Sequence, residues 1–229
     1  MPGQTTCPTC DYRYFESLAF SRRKHLIHHD EHRNGVRLRR LDLFERVGGI
    51  DGAQVLLVRP ESARFVRHRT ERVARRAIEE PPFEGDYDKP TFYAEDRYQI
   101  VPEHFAHALV LAQGSRGVGL TVLERRERCA RYEWLAEQDE YRACEEPAAG
   151  PSWAVMHVWV HPSMRGQHVA SRLLTMAFSG FRMTPEETAW LTPFTPGGFR
   201  LLRRFCPEFF LAAGHEPPQF DSFPRPFAS

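Results

Sequence analysis

A mixed α/β (α+β) domain with a small metal-stapled module ahead of it is the fold class the sequence predicts, and three observations predict it. Residues 153–160, WAVMHVWV, run for strand length with scarcely a polar side chain, which is the composition of a central strand buried on both faces. Shortly after it, Val169, Ala170, Leu173, Leu174 and Ala177 recur at helical spacing and make one apolar stripe. Near the start, Cys7 and Cys10 stand in a C-x2-C pair ahead of four clustered histidines.

Composition agrees with a folded chain. The 229 residues are 41% hydrophobic and 27% charged, enough length and apolar content to bury a sizeable core and too much for global disorder. No run of about 18 apolar residues offers a membrane span. The opening MPGQTTCPTC lacks the basic and apolar regions of a signal peptide, so the expectation is a soluble intracellular protein. The net charge of +1 hides an asymmetry: residues 1–76 carry 16 Lys/Arg against 9 Asp/Glu, and the remainder is acidic. A basic first third permits an acidic partner or nucleic acid, although a solvated Arg-rich surface explains it as well. Of the basic residues 29 are Arg and 2 are Lys, a skew that fits a GC-rich genome and carries no binding claim. Five cysteines, an odd count, suit a reducing compartment with one metal-binding pair and three free thiols.

The elements follow in order. AQVLLVR (53–59) has strand length, and Pro60 opens a helical stretch in which Val66, Val73, Ala74 and Ala77 form the apolar stripe. Residues 81–104, rich in Pro and charge, read as a long loop. HALVLAQ (107–113) and VGLTVLERR (118–126), joined through Gly114 and Gly117, read as a hairpin. YEWLAEQ is ambiguous, and EEPAAGPS (145–152) reads as a loop. After the buried strand come a short loop (161–167) and the amphipathic helix. Thr184, Pro185 and Glu187 have the pattern of a helix start, with cap, first-turn Pro and capping-box Glu. A last helix, FRLLRRF, follows FTPGG (194–198) and leads into EFFLAA; the Pro- and Phe-rich tail from 215 reads as irregular.

Two constellations carry chemistry. Cys7 and Cys10 can aim two thiolates at one ion from a tight turn. Fourteen residues on, His25 and His29 share one helix face, which completes the two-sulfur, two-nitrogen set of a closed structural zinc site. His28, three residues after His25, competes with His29. The plainer alternative is two buried free cysteines beside a His-rich surface helix. A single finger reads only about three base pairs, so its expected role is to fold or dock a segment too short for its own core; nucleic-acid binding is the lesser reading. The second constellation is the strand–loop–helix unit. Unpaired amides at a helix N-terminus bind anions, and Arg165, Gly166 and Gln167 stand where a pyrophosphate would rest. An ordinary surface loop would look similar.

At this point the residues resemble a known family. RGQHVA (165–170) is similar to the R/Q-x-x-G-x-G/A acetyl-CoA signature of the GNAT acyltransferases, with His168 in place of the central Gly. The zinc-finger lysine acetyltransferases of sister-chromatid cohesion, the ESCO type, resemble the chain more closely. They share the C-x2-C-x14-H-x3-H spacing of Cys7, Cys10, His25 and His29. They share an Asn-Gly-hydrophobic step like Asn34-Gly35-Val36, a strand and helix like VLLVRPESARFV, and a Val-Gly strand ending in Glu, here Glu124. Their cofactor strand and helix resemble Val158-Trp159-Val160, Arg165 and Val169-Ala170-Ser171-Arg172. Their PTPDG-like turn and aromatic-Cys step resemble FTPGG and Phe205-Cys206. The resemblance runs in order over most of the chain and is weak between 75 and 106.

The resemblance implies a zinc finger over 1–45 and, over 50–229, a GNAT-like domain with a mixed central sheet flanked by helices. It implies acetyl-CoA as co-substrate and structural Zn2+. Val158, Trp159 and Val160 would hold the pantetheine arm through the backbone. Residues 166–171 (Gly166, Gln167, His168, Val169, Ala170, Ser171) would wrap the pyrophosphate, and Thr195, Pro196 and Gly197 would lie beside the cofactor. Two departures stand out: the family's catalytic Ser is Met156 here, and its catalytic Asp is Pro193, neither able to accept a proton. The family's Arg before the triplet is His157. Acetyl transfer to an alkylamine of pKa about 10.4 needs a base or a desolvating pocket, and Glu124 and His157 are the candidates. A solvated strand-end charge and a satisfied core histidine are the respective alternatives. The expected activity is N-acetyl transfer to an amine, by resemblance a protein lysine. Transfer to a small amine (an antibiotic or metabolite) and an ESCO-like binding module without catalysis are the competing readings. The location would be cytoplasmic in a bacterium, nuclear for a eukaryotic cohesion-type enzyme.

Overall fold

The computed structural model describes residues 3–80, 106–135, 140–147, 151–191 and 194–213. The loop expected over 81–104, the tail from 215 and Pro193 lie outside the described residues.

The chain opens with a hairpin, β1 (Gln4–Thr6) against β2 (Arg13–Phe15), and then α1 (Ala19–Asn34). A short β3 (Val36–Arg37) and one 3-10 turn lead to β4 (Glu45–Ile50), β5 (Ala53–Val58) and α2 (Arg64–Ile78). The long hairpin β6 (His107–Gln113) and β7 (Arg116–Arg126) follows, then β8 (Cys129–Leu135) and β9 (Glu140–Pro147). Last come β10 (Ser152–Val160), α3 (Val169–Phe181), β11 (Ala189–Leu191), α4 (Pro196–Phe205) and β12 (Phe209–Ala213). The large sheet runs β4-β5-β6-β7-β10-β11-β12-β8-β9, with β3 beside the start of β7. It is mixed: β10, β11 and β12 are parallel neighbours, and the other pairs are antiparallel.

Period-2 alternation builds the core on both faces. In β5, Val55 and Leu57 face one cluster and Leu56 and Val58 the other. Helix α2 closes the second face with Val66, Val73, Ala74 and Ala77, the stripe the sequence predicts. Helices α3 and α4 close the first face with Val169, Leu173, Leu174, Ala177 and Leu202. No helix among the described residues is long and apolar enough to cross a membrane.

Four expectations need correction. Helix α2 begins at Arg64 rather than at Pro60. Residues 145–147 belong to β9 instead of a loop. The α4 helix starts inside FTPGG, where the Thr195 hydroxyl accepts from the Gly198 N–H at 3.0 Å. The box at Thr184 forms, with the Glu187 N–H donating to the Thr184 hydroxyl at 3.3 Å, but it closes a single turn. Ala189 and Trp190 just beyond it are claimed by β10 on one side and β12 on the other, so sheet pairing overrides the local helix signal.

Candidate active site and metal centre

Strand β10 pairs with β7 along nearly its whole length, ending at Val160 opposite Gly119. With β11 it pairs only at Ala154 and Val155, after which the two strands part. The register against β7 slips between Val155 and His157, so Met156 is the bulged residue where the parting begins. Beyond it, the edge of β10 that faces away from β7 has no strand partner over 156–160 among the described residues, although backbone groups need one. A cleft of about 1090 Å³ occupies the opening. It is lined by 155–160 of β10, by Gly166 and 168–171 at the start of α3, and by 194–198, Arg200, Leu201 and Arg204 of α4 and its approach.

The loop between β10 and α3 is shaped for an anion. A 3-10 turn (Pro162–Met164) leads to Gly166 at φ 78 and His168 at φ 57, and α3 begins at Val169. Left-handed residues next to a helix start turn successive amides toward one side. The first amides of α3 have no intrahelical acceptor, and the first turn bonds back only at the Arg172 N–H to the His168 carbonyl. A Cβ on Gly166 would meet nothing within 4 Å, so glycine is required there by its φ and the space in front is open. His168 occupies the GNAT signature's central Gly position in the left-handed conformation that explains why glycine suits it.

Arg165 does not fill the role of a cation waiting for phosphate. Its Nε donates to the Val160 carbonyl at 2.9 Å, and its terminal nitrogen pairs with Glu80. Glu80, buried at the end of α2, also accepts from the Trp159 indole N–H at 2.7 Å. Trp159 therefore turns its ring toward α2 while its backbone stays at the cleft. Sequence reasoning missed Glu80, because a lone Glu in an EEPP stretch carries no periodic signal.

Both candidate bases reach the cleft. Glu124 near the end of β7 is buried and accepts from Arg126 at 2.6 Å. His157 is driven by burial to a pKa of about 4, so its imidazole is neutral at physiological pH.

The four expected metal ligands converge. The ligand atoms of Cys7, Cys10, His25 and His29 all lie within 4.8 Å of one another, and Cys7 Sγ is 3.4 Å from His29 Nδ1. A tetrahedron with zinc bonds of about 2.0–2.3 Å has edges of roughly 3.3–3.8 Å, so the spacing fits. The β1–β2 turn supplies both thiols, with the Asp11 N–H bonded to the Cys7 carbonyl at 2.9 Å and Asp11 at φ 54. The Thr9 backbone N–H is the main reason the Cys7 thiol falls to about 5, toward the thiolate a metal needs. His25 Nε2 is buried without a hydrogen bond, as expected of a ligand atom. His28 is excluded from the set. Its ring packs at a tilt against Tyr12, with centroids 4.7 Å apart, and its Nε2 turns to Arg76 at 3.4 Å. The module is tied to the sheet through α1: Asp30 accepts two bonds from Arg116, at 2.6 and 3.0 Å, Glu31 pairs with Arg72, and His161 meets the His32 carbonyl at 2.9 Å.

Residues 152–211, which span β10 through most of β12, match the family described as ESCO1/2 acetyl-transferase. Over these residues the chain is similar to the ESCO-type acetyltransferases. The match covers both walls of the cleft. The same fold occurs in the xEco2 acetyltransferase domain bound to a lysine–CoA conjugate: TM-score 0.58, 19% identity, covering 76% of this chain and 99% of that one. A second structure of the xEco2 acetyltransferase domain gives TM-score 0.57 and 20% identity over 76% and 98%. No curated protein matches the chain. Met156, which stands where the resembling family has a serine, occupies the bulge at the point where the sheet opens.

Proposed function

We propose that the chain transfers an acetyl group from acetyl-CoA to an amine, with a protein lysine as the acceptor. The observation that carries this reading is the parting of β10 from β11 after Val155, directly ahead of a helix whose first amides face the same cleft. The lysine–CoA conjugate held by the similar xEco2 domain supports both the donor and the acceptor class.

Bound acetyl-CoA supplies an activated thioester carbonyl, whose transfer to an amine releases a thiol and a proton. The unpaired edge at Val158, Trp159 and Val160 aligns the pantetheine arm by backbone hydrogen bonds. Amides from Gly166 to Ser171 bind the pyrophosphate, helped by the α3 dipole. Thr195, Pro196 and Gly197 form the facing wall. A thioester oxygen gaining negative charge is stabilised by a backbone N–H near Val158. Glu124 takes the proton of the attacking amine, directly or through a water. Its ordinary pKa lies about 6 units below that of an alkylammonium, so the apolar cleft must also lower the amine's pKa. His157, neutral and weakly basic, orients rather than deprotonates. Cys7, Cys10, His25 and His29 hold a structural zinc, and the 1–45 module docks on the 50–229 domain. The free cysteines support a reducing, intracellular setting.

The test is thioester turnover with lysine peptides and small amines in parallel, repeated with Glu124→Gln and His157→Ala. Turnover on lysine peptides should fall by about 10²–10⁴ with Glu124→Gln, the range for loss of a positioned base. Absence of heat with CoA in calorimetry would overturn the assignment. Met156 at the bulge favours a second reading, a cofactor-binding module without catalysis. Acetyl-CoA binding with no turnover on any amine would select it.

A further inference from the structure

Helix α4 carries Arg200 and Arg204 four residues apart, so both leave the same face, and both line the cleft. Arg203 between them is committed elsewhere, its guanidinium 4.0 Å over the Trp134 ring. Arg204 approaches the start of α3: its terminal nitrogen lies 3.3 Å from Nδ1 of His168, the residue that precedes the first turn. With the donor on Arg204, His168 Nδ1 is the acceptor, and this contact spans the mouth of the cleft from α4 to α3. Meanwhile Arg165, the cation the loop itself provides, is neutralised by Glu80. The two carboxylates that line the cleft, Glu80 and Glu124, are engaged by Arg165 and Arg126. The cleft therefore faces helix amides on one wall and two guanidinium groups on the other.

We propose that Arg200 and Arg204 form a second phosphate-binding subsite on the α4 wall, with His168 as the residue that positions Arg204. Its ligand is a phosphate group at the nucleotide end of CoA, so the inference rests on the reading of the cleft given above. Guanidinium forks suit phosphate because two parallel N–H bonds meet two oxygens. The subsite gives His168 a purpose in a position where glycine would relieve backbone strain. A glycine there would adopt the turn at no cost but would leave Arg204 unheld.

Calorimetry on the full chain with CoA, dephospho-CoA and phosphopantetheine tests it. Arg204→Ala should weaken CoA about tenfold, and Arg200→Ala severalfold, with unchanged melting temperature because both side chains are at the surface. If the ribose phosphate is the ligand, the parent binds dephospho-CoA weakly and Arg204→Ala weakens it no further. If the pyrophosphate is the ligand, Arg204→Ala weakens CoA and dephospho-CoA alike and leaves phosphopantetheine unchanged. Either pattern supports the subsite. His168→Gly should raise the melting temperature while weakening CoA severalfold, a split that a purely structural role would not produce. Parent and both arginine variants binding CoA equally would overturn the subsite and leave the acetyltransferase reading standing. A parent that binds no CoA would take down both.

Discussion

Helix α1 is 16 residues long and buries none of them, whereas α3, with 13, buries six. The two helices are held by different physics. Helix α3 lies on the sheet with Leu173 and Leu174 fully enclosed, and each such side chain contributes roughly 1.5–3 kcal/mol through burial. Helix α1 leaves Phe20, Leu26 and Ile27 exposed and touches the rest of the molecule through charge: Asp30 with Arg116, Glu31 with Arg72, His32 with Arg76. Part-buried pairs of this kind give little net stability each, because desolvation offsets much of the attraction. On the proposed zinc reading the module draws its stability from ligation, and the sheet from its core.

Disrupting the proposed zinc site is the strongest way to break that contrast. Ligation in small zinc modules is worth about 10–16 kcal/mol at neutral pH, more than the remaining contacts of α1 supply. Cys7→Ser should lose the single zinc measured by native mass spectrometry. It should also expose the α1 amides to hydrogen exchange while the amides of β6, β7 and β10 stay protected. Protection of α1 without metal would show that the polar docking contacts suffice.

The converse experiment belongs to the sheet. Phe210 in β12 is fully buried and packs against Tyr132, Tyr141 and Phe194. Phe210→Ala should cost about 4 kcal/mol in denaturant unfolding, while Ile27→Ala on the exposed side of α1 stays within about 0.5 kcal/mol. Similar losses at both positions would erase the distinction.

The contrast explains what was legible in the sequence. The module was readable from spacing, because ligands must reach one ion whatever their surroundings; Cys7, Cys10, His25 and His29 converge as their intervals imply. Even the His28 ambiguity is resolved by something spacing lacks, the packing of Tyr12 and Arg76. The sheet was readable from periodicity: β10, the β6–β7 hairpin and the stripes of α2 and α3 lie where the pattern puts them. Order in the sheet was not readable, since β8 pairs with β12 across a long stretch of sequence. Arg200 and Arg204 were missed for the same reason, as their place in the cleft depends on which helix covers which face.

Between the two regions lies Gly35, at φ 80, which ends α1 through its N–H to the Glu31 carbonyl at 3.0 Å. A Cβ there would fall 2.7 Å from the Gly117 carbonyl oxygen and 2.9 Å from Val118 Cγ1. Backbone strain and overlap act together, so Gly35→Ala should destabilise by about 3 kcal/mol. Because the clash is with β7, the melting of the sheet should shift as well as that of α1. An effect confined to α1 exchange would mean that the junction yields without disturbing the core.

The smallest effect sharpens the comparison at the level of one histidine. His25 and His29 sit beside Cys7 and Cys10, whereas His157 lies within the sheet, where burial alone drives its pKa to about 4. The folded state then binds fewer protons than the unfolded state, whose histidine titrates near 6.5. Its contribution to stability is therefore full above about pH 6.5 and is lost as pH falls toward 4. For the reaction the same shift has the opposite visibility: a group already neutral at pH 5.5 produces no inflection between 5.5 and 7.5. The profile of kcat/KM should accordingly show no limb near 6.5 that disappears in His157→Asn. A limb that does disappear would mean that His157 titrates in the working range, and the role of base would pass to it from Glu124.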